Sequence, residues 1–464
     1  MRIIANGNEG YIKLWYTQEK SDATYRLMRY VLKDVCDEGT LLLNVVTGEL
    51  VLLSEEETEL LNMLPASYTP RLDEFIHHRF VVPVLFDEVK SVDQLRLLLK
   101  KLNARDEITS YSILPTTACN ARCFYCFESE FPRQTMTLEM ADKVVDYMLQ
   151  HCGEKRVLSL KWFGGEPTLG AKQIDRICER LTQAGVDYTS SMISNAYLFT
   201  RDMAQKAKEK WHLTFIQITL DGTERVYNQT KAYINPQDNP FYRVLDNITY
   251  LSQVGITVSI RLNVDFHNVV DISALVDELA ERFSGNNQIS AYAAALFENE
   301  GFTPIKHSKQ DQLELIQKVV EINHRIIQKG LEKSVRHSVK AQLPSLKVHY
   351  CMSDNDCSLQ VNPLGEFSKC EHAVFDQFVG SVEDGHDFSN GNGWRWLHPE
   401  YVITCKKCVL YPDCGQINTC DANTLCREEQ IKERIEDIRR QVQYRYKSRA
   451  LNDEEGSVNA TTGN

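Results

Sequence analysis

Between Ile108 and about Glu300 the chain repeats one order of polar and apolar positions. Short runs rich in β-branched and aliphatic residues alternate with longer stretches whose apolar residues fall three and four apart. The short runs predict strands over 110–114, 157–162, 188–194, 214–220, 257–264 and 288–296. Between the first two, Leu138, Ala141, Val144, Val145, Met148 and Leu149 mark one face of a helix. Strands that alternate with helices predict a parallel sheet, an α/β fold. Pro115-Thr116-Thr117 is expected to end the first strand. Upstream, residues 1–101 read as a small α+β module: 40–53 forms two strands about a Thr-Gly turn, and Ser54 caps a helix with Glu57 in capping-box position. A helix over 72–80 and a strand over 81–85 follow. The α/β region is set at 108–305, and within 306–345 an amphipathic helix over 310–331 is expected to bridge to a cysteine-rich segment, 346–430. In the last part, 431–464, a charged helix runs to about Arg449 with Ile431, Ile435, Ile438 and Val442 on one face. The polar stretch 452–464 is expected to be disordered.

Size and charge narrow the classes. The chain has 464 residues, 43% of them apolar, enough for two or three domains with a large core. Its formal net charge of −12 argues against a general grip on nucleic acid and leaves a peptide substrate open. No apolar run approaches membrane-spanning length, and the opening residues are not a secretory signal, so a cytoplasmic protein without a membrane partner is expected. Fourteen cysteines in that setting point to metal or redox sites rather than disulfides. Cys36, Cys152 and Cys178 read as packing residues.

The chemistry concentrates at Cys119-Asn-Ala-Arg-Cys123-Phe-Tyr-Cys126. A cubane iron–sulfur cluster has four irons, each usually held by a Cys, so three local thiolates leave one iron open. An open position is what separates a reactive metal centre from a structural one. Two simpler readings stand beside this one: small hydrophobes on a core helix, or zinc with a remote fourth ligand. Downstream, Trp162-Phe163-Gly164-Gly165-Glu166-Pro167 pairs two glycines, which let backbone approach a ligand closely, with a carboxylate that complements an ammonium.

The cysteine loop, with Tyr125 before its last Cys, and the Gly-Gly-Glu segment together resemble the radical S-adenosylmethionine (SAM) enzymes. The resemblance implies a partial (β/α)6 barrel in which Cys119, Cys123 and Cys126 hold a [4Fe-4S] cluster whose open iron takes the amino and carboxylate groups of SAM. It implies SAM contacts from Tyr125, Gly164, Gly165, Glu166 and Pro167, and from Ser194 and Asn195 near the ribose. Leu220-Asp221-Gly222 is similar to the segment closing the fourth strand in the peptide-modifying branch; where that branch has an Arg, this chain has Lys231. Arg261 and Asn263 resemble an Arg-x-Asn strand common in the family. The N-terminal module resembles winged-helix-like elements that bind leader peptides by strand addition.

Eight more cysteines lie between Cys351 and Cys426, enough thiolates for two complete four-iron clusters or two zinc sites. Following the radical SAM motifs, they resemble the SPASM extension of peptide maturases. Carried over by position, one cluster takes Cys351, Cys357, Cys370 and Cys420, and the other takes Cys405, Cys408, Cys414 and Cys426. Glu371, directly after Cys370, matches an acidic residue that acts as a base in formylglycine-forming sulfatase maturases; a surface carboxylate is the alternative. The implied whole is a maturase of a ribosomally made precursor peptide with a leader. It would carry three [4Fe-4S] clusters and SAM, draw electrons from a donor such as flavodoxin or ferredoxin, and install a crosslink such as a Cys thioether. Rival readings are a sulfatase-type maturase, a carbon–carbon crosslinking or epimerising maturase, and a non-enzymatic zinc scaffold.

Overall fold

The computed structural model describes residues 1–14, 23–296, 309–332, 343–349, 351–397, 405–414 and 428–461. Contacts divide the chain into two compact units. One comprises Met1–Ala104, Arg336–Tyr350 and Glu400–Asn464; the other comprises Arg105–Val335 and Cys351–Pro399. Among the described residues no helix is long and apolar enough to cross a membrane.

In the first unit the N-terminal stretch contributes β1 (Arg2–Ala5), α1 (Glu9–Leu14), β2 (Thr24–Leu27), β3 (Val31–Cys36), β4 (Gly39–Asn44), β5 (Glu49–Leu53), α2 (Glu55–Asn62), β6 (Ala66–Ser67), α3 (Asp73–His77), β7 (Val81–Pro83) and α4 (Glu88–Asn103). One antiparallel sheet runs β1-β5-β4-β3 and a smaller one runs β6-β2-β7. The turn after β4 closes on Gly48 at φ 75, a left-handed conformation that costs glycine little. The capping box at α2 is formed: the Ser54 side chain accepts from Glu57 N, and the Glu57 carboxylate accepts from Ser54 N. The helix expected over 72–80 is shorter, because α3 stops at His77 and Arg79 turns to φ 62. Cys36 is half-buried at the end of β3, against a cluster that includes Ile438, Val442 and Tyr446. Those three lie on the helix Glu428–Thr461, which continues past the expected end near Arg449 through most of a stretch expected to be disordered. Adding a residue to an existing helix gains one backbone hydrogen bond, so a polar sequence without a core pattern extends it.

The second unit is built on β8 (Ser110–Thr116), α5 (Leu138–His151), β9 (Val157–Gly164), α6 (Ala171–Gln183), β10 (Asp187–Ser194), α7 (Arg201–Glu209), β11 (Leu213–Leu220), α8 (Glu224–Lys231), α9 (Pro240–Gln253), β12 (Thr257–Val264), α10 (Val269–Phe283), β13 (Ile289–Ala295) and α11 (Lys309–Gln328). The strands β8 to β13 lie side by side in chain order and pair in parallel, giving six βα units of a partial barrel. Pro115 does not end β8, which runs on to Thr116. It sits where the β8–β9 register shifts between Ile113 and Thr116, so its missing N–H removes no regular ladder bond. The helix α11, expected as a bridge, packs Leu315, Val319, Ile322 and Ile326 into the barrel core as the helix of the sixth unit. Cys152 and Cys178 are buried in the same core.

Alternation along the strands separates two faces. Leu158, Leu160 and Trp162 of β9, or Val258, Ile260 and Leu262 of β12, are buried in the core, while Ser159, Lys161 and Arg261 take the opposite face, the barrel lumen. The cysteine-rich segment then extends the same sheet: β14 (Ser358–Val361) pairs in parallel with β8, and β15 (Glu366–Ser368), β16 (Gly380–Ser381) and β17 (Gly385–His386) follow as antiparallel neighbours.

Replacing Ser54 with Ala removes the cap of α2 and should cost about 1 kcal/mol of local stability. Faster hydrogen exchange at the amides of residues 55–62 would register it; unchanged exchange would mean that tertiary packing alone holds the helix.

Candidate functional site

The loop Cys119–Cys126 follows β8 and has no regular structure, so its backbone groups must find partners elsewhere. The end of β9 fixes the residues that lead into the loop: Gly165 N donates to Thr116 O (3.2 Å) and Glu166 N to Ala118 O (2.9 Å). The close approach requires glycine. A Cβ on Gly165 would lie 2.3 Å from Ala118 O, and one on Gly164, at φ 112, would lie 2.4 Å from Thr116 O. Farther along, Ile234 N donates to Asn120 O and Arg122 N to Lys231 O, both at 2.8 Å.

Glu166 is fully buried, and four donors converge on its carboxylate: Thr168 N and Oγ1, Ser194 Oγ and Asn195 N. Burial raises its pKa, and these hydrogen bonds oppose the rise. Asn195 Nδ2 in turn reaches Asn120 Oδ1 at 2.7 Å and Cys119 Sγ at 3.9 Å. Both side chains also accept strand-end hydrogen bonds, Ser194 Oγ from Ala196 N and Asn195 Oδ1 from Tyr197 N, while Asn195 alone of the two reaches the cysteine loop.

Tyr125 is drawn into a second knot. Its hydroxyl donates to Asp221 (2.9 Å) and accepts from Lys231 Nζ (2.9 Å) and Asn263 Nδ2 (3.1 Å). Lys231 Nζ also lies 2.8 Å from Asp221 Oδ2 and donates to Thr219 Oγ1 at 2.6 Å, with the lysine 1% exposed. Burial is the largest influence and opposes the lysine's charge, but Asp221 and, after it, Tyr125 and other neighbours together outweigh it and hold the pKa well above the usual value. Expected to offer a cation to SAM in place of an arginine, Lys231 has instead spent its three N–H bonds inside the protein. Arg261 keeps more capacity, since its buried Nε has no hydrogen-bond partner.

The thiols are half-buried, and burial pushes Cys119 up to about 12 and Cys126 up to about 11; each also feels its neighbouring thiols. A bound metal reverses this order by deprotonating a coordinating thiol outright. Among the described residues no three His, Cys, Asp or Glu side chains are placed to hold one metal ion. Thiolates that each bind a different iron of a cubane need not converge on one point. The donor set, the glycine cradle and the unpartnered Nδ2 of Asn120 and Nε of Arg261 fit a four-iron cluster with a polar ligand beside it.

Glu371 is half-buried. Lys161 Nζ lies 2.7 Å from it and Ser112 Oγ donates to it at 3.0 Å, both from the lumen face of adjacent strands. Nearby, Glu128 is 7% exposed and neither carboxylate oxygen has a partner. Burial, and then Glu371, push its pKa up to about 8. Phe127 packs on His372, with centroids 4.3 Å apart, and stacks on Phe163, closing one wall. The sequence reading did not single out Glu128, Lys161 or Ser112. Strand alternation places Ser112 and Lys161 in the lumen, but nothing local marks Glu128.

Of the C-terminal cysteines, Cys351 and Cys357 both act electrostatically on Lys369, a fully buried lysine whose pKa burial lowers to about 7. In the other unit Cys405, Cys408 and Cys414 gather around a short 3-10 turn, and the Cys408 thiol is raised by burial and then by its two neighbours. Cys420 and Cys426 lie outside the described residues.

Residues 113–279 match the family model described as the radical SAM superfamily. The chain carries a radical SAM domain. That domain implies one [4Fe-4S] cluster and SAM. Among curated relatives, the Fe-coproporphyrin III synthase of Methanosarcina barkeri is 28% identical over 170 residues, 36% of this chain and 39% of that protein. The radical SAM cyclopropyl synthase TigE of Paramaledivibacter caminithermalis is 22% identical over 297 residues, 56% of this chain and 61% of that protein. The match thus spans less than two thirds of either relative. Among solved structures, native anSMEcpe with bound AdoMet and Kp18Cys peptide superposes with a TM-score of 0.54 at 15% identity, covering 74% of this chain and 99% of that one. At that identity the likeness concerns the radical SAM fold.

Replacing Gly165 with Ala should force the loop after Thr116 away from the end of β9. SAM affinity measured by calorimetry should fall at least about tenfold, or about 1.4 kcal/mol. Parent-level affinity would show that the cradle gives way without consequence.

Proposed function

We propose that this protein is a radical SAM maturase of a ribosomally made peptide, installing a side-chain crosslink, most simply a Cys thioether. The observation that carries the reading is the lumen beside the thiol loop, where Glu371 is held on Ser112 and Lys161. A carboxylate fixed in that position serves a substrate that must lose a proton as well as a hydrogen atom.

In this reading Cys119, Cys123 and Cys126 would hold the cluster. The Gly164–Pro167 segment, Ser194, Asn195, Asn263 and the free Nε of Arg261 would line the SAM site. The cluster with its SAM supplies a carbon radical able to take hydrogen from unactivated carbon. The chain's own residues do the rest. Phe127, Phe163 and His372 wall the lumen against water, and Glu371 accepts the thiol proton of a substrate Cys so that its sulfur can bond to the activated carbon. The eight cysteines from Cys351 to Cys426 would hold two further clusters, whose chemistry would be to accept the one electron that the substrate gives up as the carbon–sulfur bond forms. The peptide character draws support from the bound peptide named for anSMEcpe. For the leader, β3 is the outer strand of its sheet and suits strand addition. One of its carbonyls, Val35 O, is already taken by Gln443 Nε2, so an added strand would use the remainder.

A second reading, formylglycine formation, rests on the same Glu371 following Cys370. Mass spectrometry separates the two: a crosslinked peptide loses a pair of hydrogens and keeps its sulfur, whereas formylglycine from Cys loses the sulfur.

Cys119→Ala, Cys123→Ala and Cys126→Ala should each abolish release of 5′-deoxyadenosine and lower iron content from about twelve per chain to about eight. Parent-rate cleavage by any of the three would remove that residue from the ligand set. Glu371→Gln should lower peptide product per deoxyadenosine released by about a hundredfold. An unchanged ratio in a quantitative mass assay would leave Glu371 as a structural partner of Lys161.

A further inference from the structure

We propose that the buried Lys231–Asp221 pair positions the Cys119–Cys126 loop and sets the reduction potential of the cluster held there, with Lys231 favouring the reduced form and Asp221 opposing it. The inference rests on the reading of Cys119, Cys123 and Cys126 as cluster ligands.

Three observations carry it. The first is that the pair grips the loop from two sides. Lys231 Nζ and Asp221 both bind the hydroxyl of Tyr125, which lies between two of the cysteines, and Lys231 O accepts from Arg122 N. The second is that the helix ends in strain at this point. Lys231 is the last residue of α8, and Ala232 follows at φ 44, a left-handed conformation that a non-glycine residue adopts only at a cost. Turning the helix off here leaves the Lys231 carbonyl free to meet the cysteine loop.

The third concerns charge. Both partners are almost wholly buried, 2% and 0% exposed at the side chain, so their fields are weakly screened. Lys231 Nζ lies 2.9 Å from the hydroxyl of Tyr125, the residue beside Cys126 and two from Cys123, so the charge sits at the loop that carries those thiols. Reduction adds one negative charge to a cluster on those thiols, so a nearby buried cation stabilises the reduced state and a buried anion destabilises it. Stability alone gives little reason to keep the pair, because a buried ion pair can often be replaced by apolar groups at no net cost. Neighbours of a metal site tune it in this way.

The test is a redox titration of the anaerobically reconstituted full chain, followed on the EPR signal that changes when SAM is added. Lys231→Met alone leaves Asp221 buried without its cation, and Asp221→Asn leaves Lys231 without its anion, so each variant is first matched to the parent by circular dichroism and iron content, and the comparison is Asp221→Asn against the charge-free Asp221→Asn/Lys231→Met. Asp221→Asn should raise the midpoint above that of the parent. Adding Lys231→Met should shift the reduction equilibrium the other way by about tenfold, about 59 mV for one electron. Midpoints for the two variants that agree within a factor of two in that equilibrium would sink the inference, as would a lowered midpoint in Asp221→Asn. A parent that shows no SAM-responsive signal would remove the cluster assignment itself, and this inference with it.

Discussion

A reactive thiol loop cannot be held by its own hydrogen bonds when it has no regular structure, and the rest of the barrel is arranged around that constraint. The eight residues from Cys119 to Cys126 are gripped from the ends of three neighbouring strands, and the residues that lead into them from a fourth. Thr116 of β8 opens the loop, and Gly165 and Glu166 after β9 bond to the residues before it. Asn195 after β10 reaches Asn120, Asp221 after β11 takes Tyr125, and Asn263 of β12 joins that knot. Each contact is modest, since an internal hydrogen bond contributes about 1 kcal/mol net. Their joint effect is geometric: moving the loop means moving several strand ends that a packed core holds in place.

The parallel sheet provides that rigidity and also divides labour between its faces. One face packs Trp162, Ile218, Ile260 and their neighbours under the helices; the other turns Ser112, Lys161, Gln217 and Arg261 toward the lumen. A sheet whose lumen face is polar has a use for the cysteine-rich segment. By pairing β14 in parallel with β8, that segment adds a strand on the edge next to the cysteine loop. The turn after β15 then delivers Glu371 to Ser112 and Lys161. Position in sequence places Glu371 more than two hundred residues from Lys161; position in the sheet places them in contact.

How much of this could be read from the chain depends on whether a signal is local. The six barrel strands were legible because alternation and flanking helices agree, and β12 runs over the residues expected, Thr257–Val264. The cysteine triplet was legible because its spacing is written in one short stretch. Pro115 misled because a proline at a register shift breaks nothing, and the helix Glu428–Thr461 misled because a solvated helix needs no apolar stripe to continue. In the N-terminal unit the short strands β1, β2 and β6 carry too few residues to show a period. By contrast α4, with Val92, Leu95 and Leu99 buried, did carry a helical stripe. At the site, Glu128 and Lys161 depend on contacts between distant segments, which no window along the chain displays.

The partners of Lys231 show why a lysine suits its position where an arginine would not. Its three acceptors, Asp221 Oδ2 and Thr219 Oγ1 at the end of β11 and Tyr125 Oη of the cysteine loop, surround one nitrogen at 2.6 to 2.9 Å. An ammonium is a compact point charge whose three donors rotate to meet such an arrangement. A guanidinium is a planar fork matched to a carboxylate or phosphate presented edge-on, and with one carboxylate among the three acceptors it would leave donors buried without partners. A residue in this place is therefore selected for closing a buried knot rather than for reaching outward to an anion. Arg261 differs in this respect, since its buried Nε has no hydrogen-bond partner.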